Sequence, residues 1–495
     1  MAEPLLLALD QGTTSTRAIL FDRQGQPLQT ASRPLRQSYP ADGWVEHDAE
    51  EIYQACVAVL REAVERSGRP AADVAAIGIT NQRETVVVWD TATGRPIHPA
   101  IVWQDRRTAQ VCERLADAEA QVTATTGLLL DPYFSATKIA WILDHVGGAR
   151  ARAERGELLC GTIDAWVVWR LTGGRVHATD ATNASRTLLF DLERQAWSPQ
   201  MLSLFQVPEA MLPQVRDTAG DYGETSPDLL GRAVPIRAVV GDQQGALMGQ
   251  GCIAPGQMKA TYGTGCFMLL NTGETRPVSR SRLLATVAAR VAGRVTYALE
   301  GSIFIAGAAI QWLGDGLGMQ GGPTGAEALA RTARPDHGVV LVPAFTGLGA
   351  PWWDAEARGA LFGMTRDSGL PEIAHAAYDA SALQTRDLIE AMRADAPHAM
   401  GAGSEMRIDG GMASSAWFAR RLADLTGQKV CRVVYQETTA LGAALFAGLA
   451  SGVYGSIEEA AAARPQGEIL TPGPDDHARE VAYARWLDAV ARVRS

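Results

Sequence analysis

The chain has 495 residues, more than one hydrophobic core usually serves, so two domains are expected. Hydrophobic residues make up 47% and charged residues 20%, the balance of a folded globular protein and not of a disordered one. A formal net charge of −10, with basic residues scattered along the chain, argues against a nucleic-acid or anionic-membrane partner, since either needs a basic face.

Residues 5–9 form an apolar run of strand length that ends at Asp10, turns on Gly12 and then offers Thr13, Thr14 and Ser15 in succession. Residues 17–22 read as a returning strand. The stretch is either a polar hairpin turn or a phosphate cradle, in which Gly12 lets backbone N–H groups approach a ligand and Asp10 can hold Mg²⁺. A helix follows over 49–66, with Ile52, Cys56, Val59, Leu60 and Ala63 on one face, and then strands over 74–80 and 86–89. This alternation makes the class α/β. Ligands in such folds sit beyond the carboxyl ends of strands, where Arg83, Glu84, Trp103 and Asp105 fall. Asp105-Arg106-Arg107 reads as a helix start with solvated charges, and Trp103 on local grounds counts as core.

Asp131-Pro132 turns the chain into a helix with Ile139, Trp141, Ile142 and Leu143 apolar; Tyr133 either packs there or closes a pocket. Residues 158–171 are apolar, and 179–183 read as a loop. The strand 236–240 ends at Gly241-Asp242-Gln243-Gln244, where Asp242 is either a helix N-cap or an acid facing a substrate. In 259–270 the triplet Gly263-Thr264-Gly265 interrupts an extended segment and echoes the first hairpin, which suggests a duplicated architecture with its boundary near 245–258. Residues 301–313 are expected to be helical, with Gly307 and Gln311 one turn apart on a shared face, followed by a surface loop over 314–325. A buried strand at 339–342 leads into an aromatic, Gly/Pro-rich loop. Residues 406–415 again run strand, acid (Asp409), glycines (Gly410, Gly411), helix start, and a terminal helix begins near 478.

Six cysteines lie far apart without a C-x-x-C pair, so neither a zinc site nor a disulfide framework is indicated, and a reducing cytoplasm fits. Neither the short run before Asp10 nor the interrupted stretch 303–313 is long enough to span a bilayer, so no membrane insertion is expected.

Four strand ends that combine glycine, acid and hydroxyl groups, with no G-x-x-x-x-G-K-[ST], point to a nucleotide site without a P-loop. The stretches 9–15, 80–85, 131–135, 241–244, 262–267, 344–349 and 409–411 resemble those of the FGGY family of carbohydrate kinases, within the wider group sharing the actin-like ATPase fold. The resemblance runs over nearly the whole chain. It implies two actin-like (RNase H-like) α/β domains, residues 1–250 and 251–495, with the active site in the cleft between them. It also implies ATP-dependent phosphorylation of glycerol to sn-glycerol 3-phosphate, with Asp242 as general base and Mg²⁺ beside Asp10. By the same resemblance Arg83, Glu84, Trp103, Tyr133, Asp242, Gln243 and Phe267 line the glycerol site. Thr13, Thr14, Ser15, Arg17, Thr264, Gly307, Gln311, Gly411 and Ser415 line the nucleotide site, Ser415 standing where relatives often carry asparagine. A homodimer or homotetramer is implied in the same way. Residues 229–234 lack the Gly-Gly-Lys-Gly-Gly loop of some relatives, and no histidine occurs between His177 and His337, so neither a sugar-bisphosphate control site nor a phosphohistidine switch is expected. The alternatives are a kinase of the same family acting on xylulose, gluconate or ribulose, and a nucleotide-driven scaffold protein. Arg83-Glu84, Trp103 and Tyr133 favour glycerol over the first, and Asp242 with a polyol pocket speaks against the second.

Overall fold

The computed structural model describes residues 3–401 and 404–494, organised around two mixed sheets. The first has five strands in the order Ile236–Gly241, Val74–Asn81, Leu5–Gln11, Ser15–Phe21 and Pro27–Pro34. Leu5–Gln11 is antiparallel to Ser15–Phe21, with Ala8 opposite Ile19, and parallel to Val74–Asn81, with Leu7 opposite Ile77. The second has seven, in the order Leu284–Val291, Arg294–Ile303, Cys266–Gly273, Gln257–Tyr262, Glu405–Asp409, Lys429–Arg432 and Glu468–Leu470. Gln257–Tyr262 is likewise antiparallel to the strand that follows it and parallel to Glu405–Asp409. A hairpin with two parallel strands on its far side is therefore built twice. The echo between Gly12-Thr13-Thr14 and Gly263-Thr264-Gly265 reflects this repeat.

The opening strand is apolar at every position from Leu5 to Leu9 because both faces of its sheet are covered. Leu5, Leu7 and Leu9 alternate onto the helix Ala49–Ser67, against Ile52, Cys56, Val59 and Leu60. Leu6 and Ala8, with Ile19, Phe21 and Val240, face Leu441, Ala444 and Leu445 of the helix Thr438–Ala450. That helix is apolar almost all round, as a helix buried on every side must be. It comes from the far end of the sequence and crosses the helix Asp242–Gly249, which in turn reaches the second sheet: Gln244 Nε2 donates to the Val287 carbonyl at 3.2 Å. At the crossing the backbones touch, and a Cβ on Gly442 would lie 1.8 Å from the Gly245 carbonyl oxygen.

Several sequence expectations need correction. Residues 179–183 are not a loop: Ala178–Asp180 is a buried strand, and Asp180 accepts from the Thr182 and Asn183 N–H groups to cap the helix Ala181–Ala184. The charges at 105–107 are not all solvated. Asp105 accepts from Val45 N at 2.6 Å and pairs with Arg107, whose side chain is fully buried between Trp44 and Trp141. The helix there starts later, at Ala109. Residues 301–303 belong to the strand Arg294–Ile303, and the helix spans Gly307–Asp315, so the apolar run hid a strand-to-helix junction. The surface loop after it shrinks to 316–321, because Gly322–Ala330 is helical. Among the described residues no helix is long and apolar enough to cross a membrane, and the six cysteines are free and buried.

Candidate active site

The first hairpin turn joins Leu5–Gln11 to Ser15–Phe21 at the carboxyl end of the opening strand. Gly12 N donates to the Ser15 carbonyl at 2.9 Å, closing a turn that leaves Thr14 exposed and Thr13 and Ser15 half-buried. Trp103 Nε1 donates to Thr13 Oγ1 at 2.9 Å, and the Trp103 ring meets Tyr133 edge-on at 5.6 Å. Arg17, opposite Asp10 in the hairpin, reaches over to Glu437 at 2.5 Å, just before the helix Thr438–Ala450.

Behind this lies a buried charge network. Arg83 and Glu84 occupy the turn after Val74–Asn81, with Glu84 in the left-handed region at φ 62°. Arg83 grips Glu300 with two bonds, at 2.6 and 3.1 Å, and its Nε lies 3.1 Å from Asp242 Oδ1. Arg186 donates to Glu84 at 2.6 Å and to Glu300 at 2.8 Å, with its guanidinium 5.3 Å from the Phe134 ring centre. Glu300 projects from the second sheet, whereas the two arginines belong to the first half, so the network bridges the halves. Glu84 and Arg83 are buried, but the Asp242 side chain keeps 32% of its surface open. Asp242 is the first residue of its helix, and Gly241 is the N-cap.

Burial raises the Asp242 pKa, against the lowering pull of Arg83 and the Gln243 amide. Glu84 is raised for the same first reason. In Glu300 burial also pushes upward, but Arg186 and Arg83 together hold the carboxyl down at about 2. Burial lifts Asp10 to about 7, with Arg17 opposing and Glu437 and Asp242 adding to the rise. Two further carboxylates, Glu437 and Asp242, act on Asp10, and at the end of the strand Glu405–Asp409 the Oδ1 of Asp409, 2% exposed, has no hydrogen-bond partner among the described residues. A buried surplus of carboxylate suits a divalent cation. Mg²⁺ that arrives with a nucleotide needs only one or two protein carboxylates beside the phosphates, and Asp10 stands at the end of the strand that enters the first hairpin turn.

In the second half, Gly307 N donates to Gly263 O at 3.1 Å and Ala306 N to Thr264 O at 2.9 Å, pinning the start of the helix Gly307–Asp315 to the second hairpin turn. A Cβ on Gly307 would fall 2.4 Å from the Gly263 oxygen. Thr264, Gln311 and Gly411 are exposed, so they can meet a ligand from solvent. Gly410, at φ 89°, lies flat on the Tyr262 backbone, where a side chain has no room. Ser415 Oγ accepts from Phe418 N at 2.9 Å and caps the helix Ala416–Thr426, so this hydroxyl already serves the fold. Gln243 and Phe267 are joined through Lys259, which donates to the Gln243 side chain and, at 3.2 Å, to the Phe267 carbonyl.

Sequence reasoning missed Arg186, Glu300 and Lys259. A signal existed for two of them: Glu300 follows Ala298-Leu299 and Lys259 sits in Met258-Lys259-Ala260, lone charges in apolar strands that burial forces into pairing. Arg186, in Asn183-Ala184-Ser185-Arg186-Thr187, had none.

Residues 5–249 match the N-terminal domain, and residues 258–451 the C-terminal domain, of the FGGY family of carbohydrate kinases. Glycerol kinase of Ectopseudomonas mendocina is 54% identical over 492 residues, 99% of each chain. That of Rhodospirillum centenum is 55% identical over 494 residues, 99% of this chain and 98% of the other. The structure of Plasmodium falciparum glycerol kinase with ADP superposes with a TM-score of 0.94 at 31% identity, covering 99% of this chain and 98% of its own. Gluconate kinase from Lactobacillus acidophilus shares the fold at a TM-score of 0.90 and 19% identity. The fold is thus the two-domain, actin-like α/β architecture that the repeated strand order describes. Matched in both halves and along its full length, this chain belongs to the FGGY family of carbohydrate kinases.

Proposed function

We propose that this chain transfers the γ-phosphoryl group of ATP to a terminal hydroxyl of glycerol, giving sn-glycerol 3-phosphate and ADP, in a cleft walled by residues 1–250 and 251–495. The observation that carries the reading is Asp242, a carboxylate open to the cleft, raised in pKa by burial and oriented by Arg83 at 3.1 Å. Asp242 takes the proton as the hydroxyl oxygen attacks the γ-phosphorus; the bond from phosphorus to the β–γ bridging oxygen breaks and ADP leaves. Glu84 accepts from substrate hydroxyls and Arg83 donates to them. Trp103, Tyr133 and Phe267 wall the carbon chain. The first hairpin, with Thr13, Thr14, Ser15 and Arg17, donates to the phosphates, while Thr264, Gly307, Gln311 and Gly411 receive the nucleotide, with Ser415 at its edge. Asp10 would hold Mg²⁺, which when bound with the nucleotide neutralises phosphate charge. Most of the catalysis on this reading is positioning, and closure of the cleft excludes water.

ADP release from Mg·ATP, measured with glycerol, dihydroxyacetone, xylulose and gluconate in parallel, tests it. Glycerol-dependent release that Asp242→Asn lowers by orders of magnitude is the expected result. Equal turnover of a sugar moves the substrate within the family, and release indifferent to every polyol overturns the kinase reading. We also place the chain in the cytoplasm as a homodimer or homotetramer: six unpaired buried thiols suit a reducing compartment, and the oligomer rests on family resemblance, with light scattering as its test.

A further inference from the structure

Lysine occurs only as Lys138, Lys259 and Lys429, and Lys259 is fully buried in the middle of the strand Gln257–Tyr262. A buried ammonium is costly unless each of its hydrogens meets an acceptor. Lys259 has three: the Gln243 side-chain oxygen, Thr261 Oγ1 at 3.0 Å and the Phe267 carbonyl at 3.2 Å. Gln243 belongs to the helix that leaves the first sheet, while Thr261 and Phe267 flank the second hairpin. One side chain therefore ties together the two walls of the proposed polyol pocket.

We infer that Lys259 is a positioning residue that fixes the Gln243 amide, turning its carbonyl away from the substrate and leaving only its NH₂ group to face the pocket. A free glutamine can present either end, one that donates and one that accepts. An ammonium has no acceptor capacity, so the atom it holds is the oxygen, and the end left over is a pure donor. The other polar groups proposed to meet substrate hydroxyls include Asp242 and Glu84, which accept when ionised. The hydroxyl oxygens then need donors, and the fixed Gln243 supplies one besides Arg83. Without Lys259 the amide can rotate and set its oxygen against the hydroxyl oxygen, which repels. Lys259 thus sets the donor and acceptor pattern that a polyol has to match, without touching the polyol itself.

The inference rests on the kinase reading and on Gln243 as a substrate contact. Its test is a double-mutant cycle of Lys259→Met and Gln243→Ala in the full-length chain, with glycerol and Mg·ATP varied separately. Lys259→Met should raise the glycerol KM by roughly tenfold or more, the scale of one hydrogen bond to a charged group, and leave the ATP KM within about twofold. In the Gln243→Ala background the same substitution should add less than about twofold, because its effect runs through Gln243. A full additional loss in that background, or an equal change in both KM values, overturns the inference. If Lys259→Met fails to fold by circular dichroism, Lys259→Arg, which keeps the charge but moves the donors, should show the same selective rise, and an unchanged glycerol KM overturns the inference. The wild-type chain is assayed first: if it phosphorylates another polyol, the glycerol assignment fails while the cycle is run on that polyol, and if it phosphorylates none, both fail.

Discussion

A carboxylate beside an arginine in a half-open cleft is pulled in two directions. In Asp242 burial outweighs the Arg83 guanidinium and the Gln243 amide, and the pKa rises. A general base must be deprotonated to act, so kcat/KM should fall as pH drops through this pKa, with the acid limb above the ordinary carboxylate range. Asp242→Asn should lower kcat by about 10²–10⁴-fold with little change in ADP affinity, and a pH profile that keeps the limb in this variant assigns the limb elsewhere. Glu300 is the opposite case. Its carboxyl is held at about 2 by Arg186 and Arg83 despite burial, below the 4.5 of the unfolded chain. The stability it contributes is present in full above pH 4.5 and is lost as pH falls toward about 2. Glu300→Gln leaves two buried arginines short of a partner, so it should cost about 3–5 kcal/mol at pH 7 by urea denaturation and flatten the acid side of the stability profile.

Among the elements, the crossing of Asp242–Gly249 with Thr438–Ala450 is the tightest contact between the halves. The sequence Thr438-Thr439-Ala440-Leu441-Gly442-Ala443-Ala444 shows a small-residue apolar helix, but not that Gly442 meets the Gly245 backbone. A methyl group at Gly442 would sit 1.8 Å from a carbonyl oxygen that cannot rotate away, so the helices must separate. Gly442→Ala should destabilise by about 4 kcal/mol or more and, because these helices link the sheets that form the cleft, change kcat and KM together. Wild-type melting temperature and kinetics in this variant would show that the crossing is slack. The two hairpins were legible at this scale because their strands are short apolar runs broken by glycine and hydroxyl residues. The junction at 303–307 was not, because a buried strand and a buried helix are both continuously apolar.

At the scale of the whole molecule, the face of the first sheet formed by Leu6, Ala8, Ile19, Phe21 and Val240 is covered by the helix Thr438–Ala450, which begins 198 residues after Val240 and 417 after Phe21. Residues 1–250 alone would leave it bare, and each large side chain on it forfeits roughly 1.5–3 kcal/mol of burial. That fragment should therefore aggregate or expose apolar surface to a hydrophobic dye, whereas co-expression with residues 251–495 should restore a soluble pair. A monodisperse, folded 1–250 fragment would refute the dependence.

The sequence by itself determined the α/β class and the duplicated hairpins, and it named most of the residues proposed for the cleft. These depend on local patterns: apolar runs of strand length, and glycines, acids and hydroxyls at strand ends. Only the tertiary structure decided which charges meet. Arg83 and Glu300 are 217 positions apart and meet only when the two sheets come together, while Arg186 and Glu84, 102 apart, meet only when the first half folds. Arg107, which reads as solvated, is buried because Trp44 and Trp141 close on it from distant segments. Burial and pairing across the cleft are properties of the assembled halves, and no local window of sequence contains them.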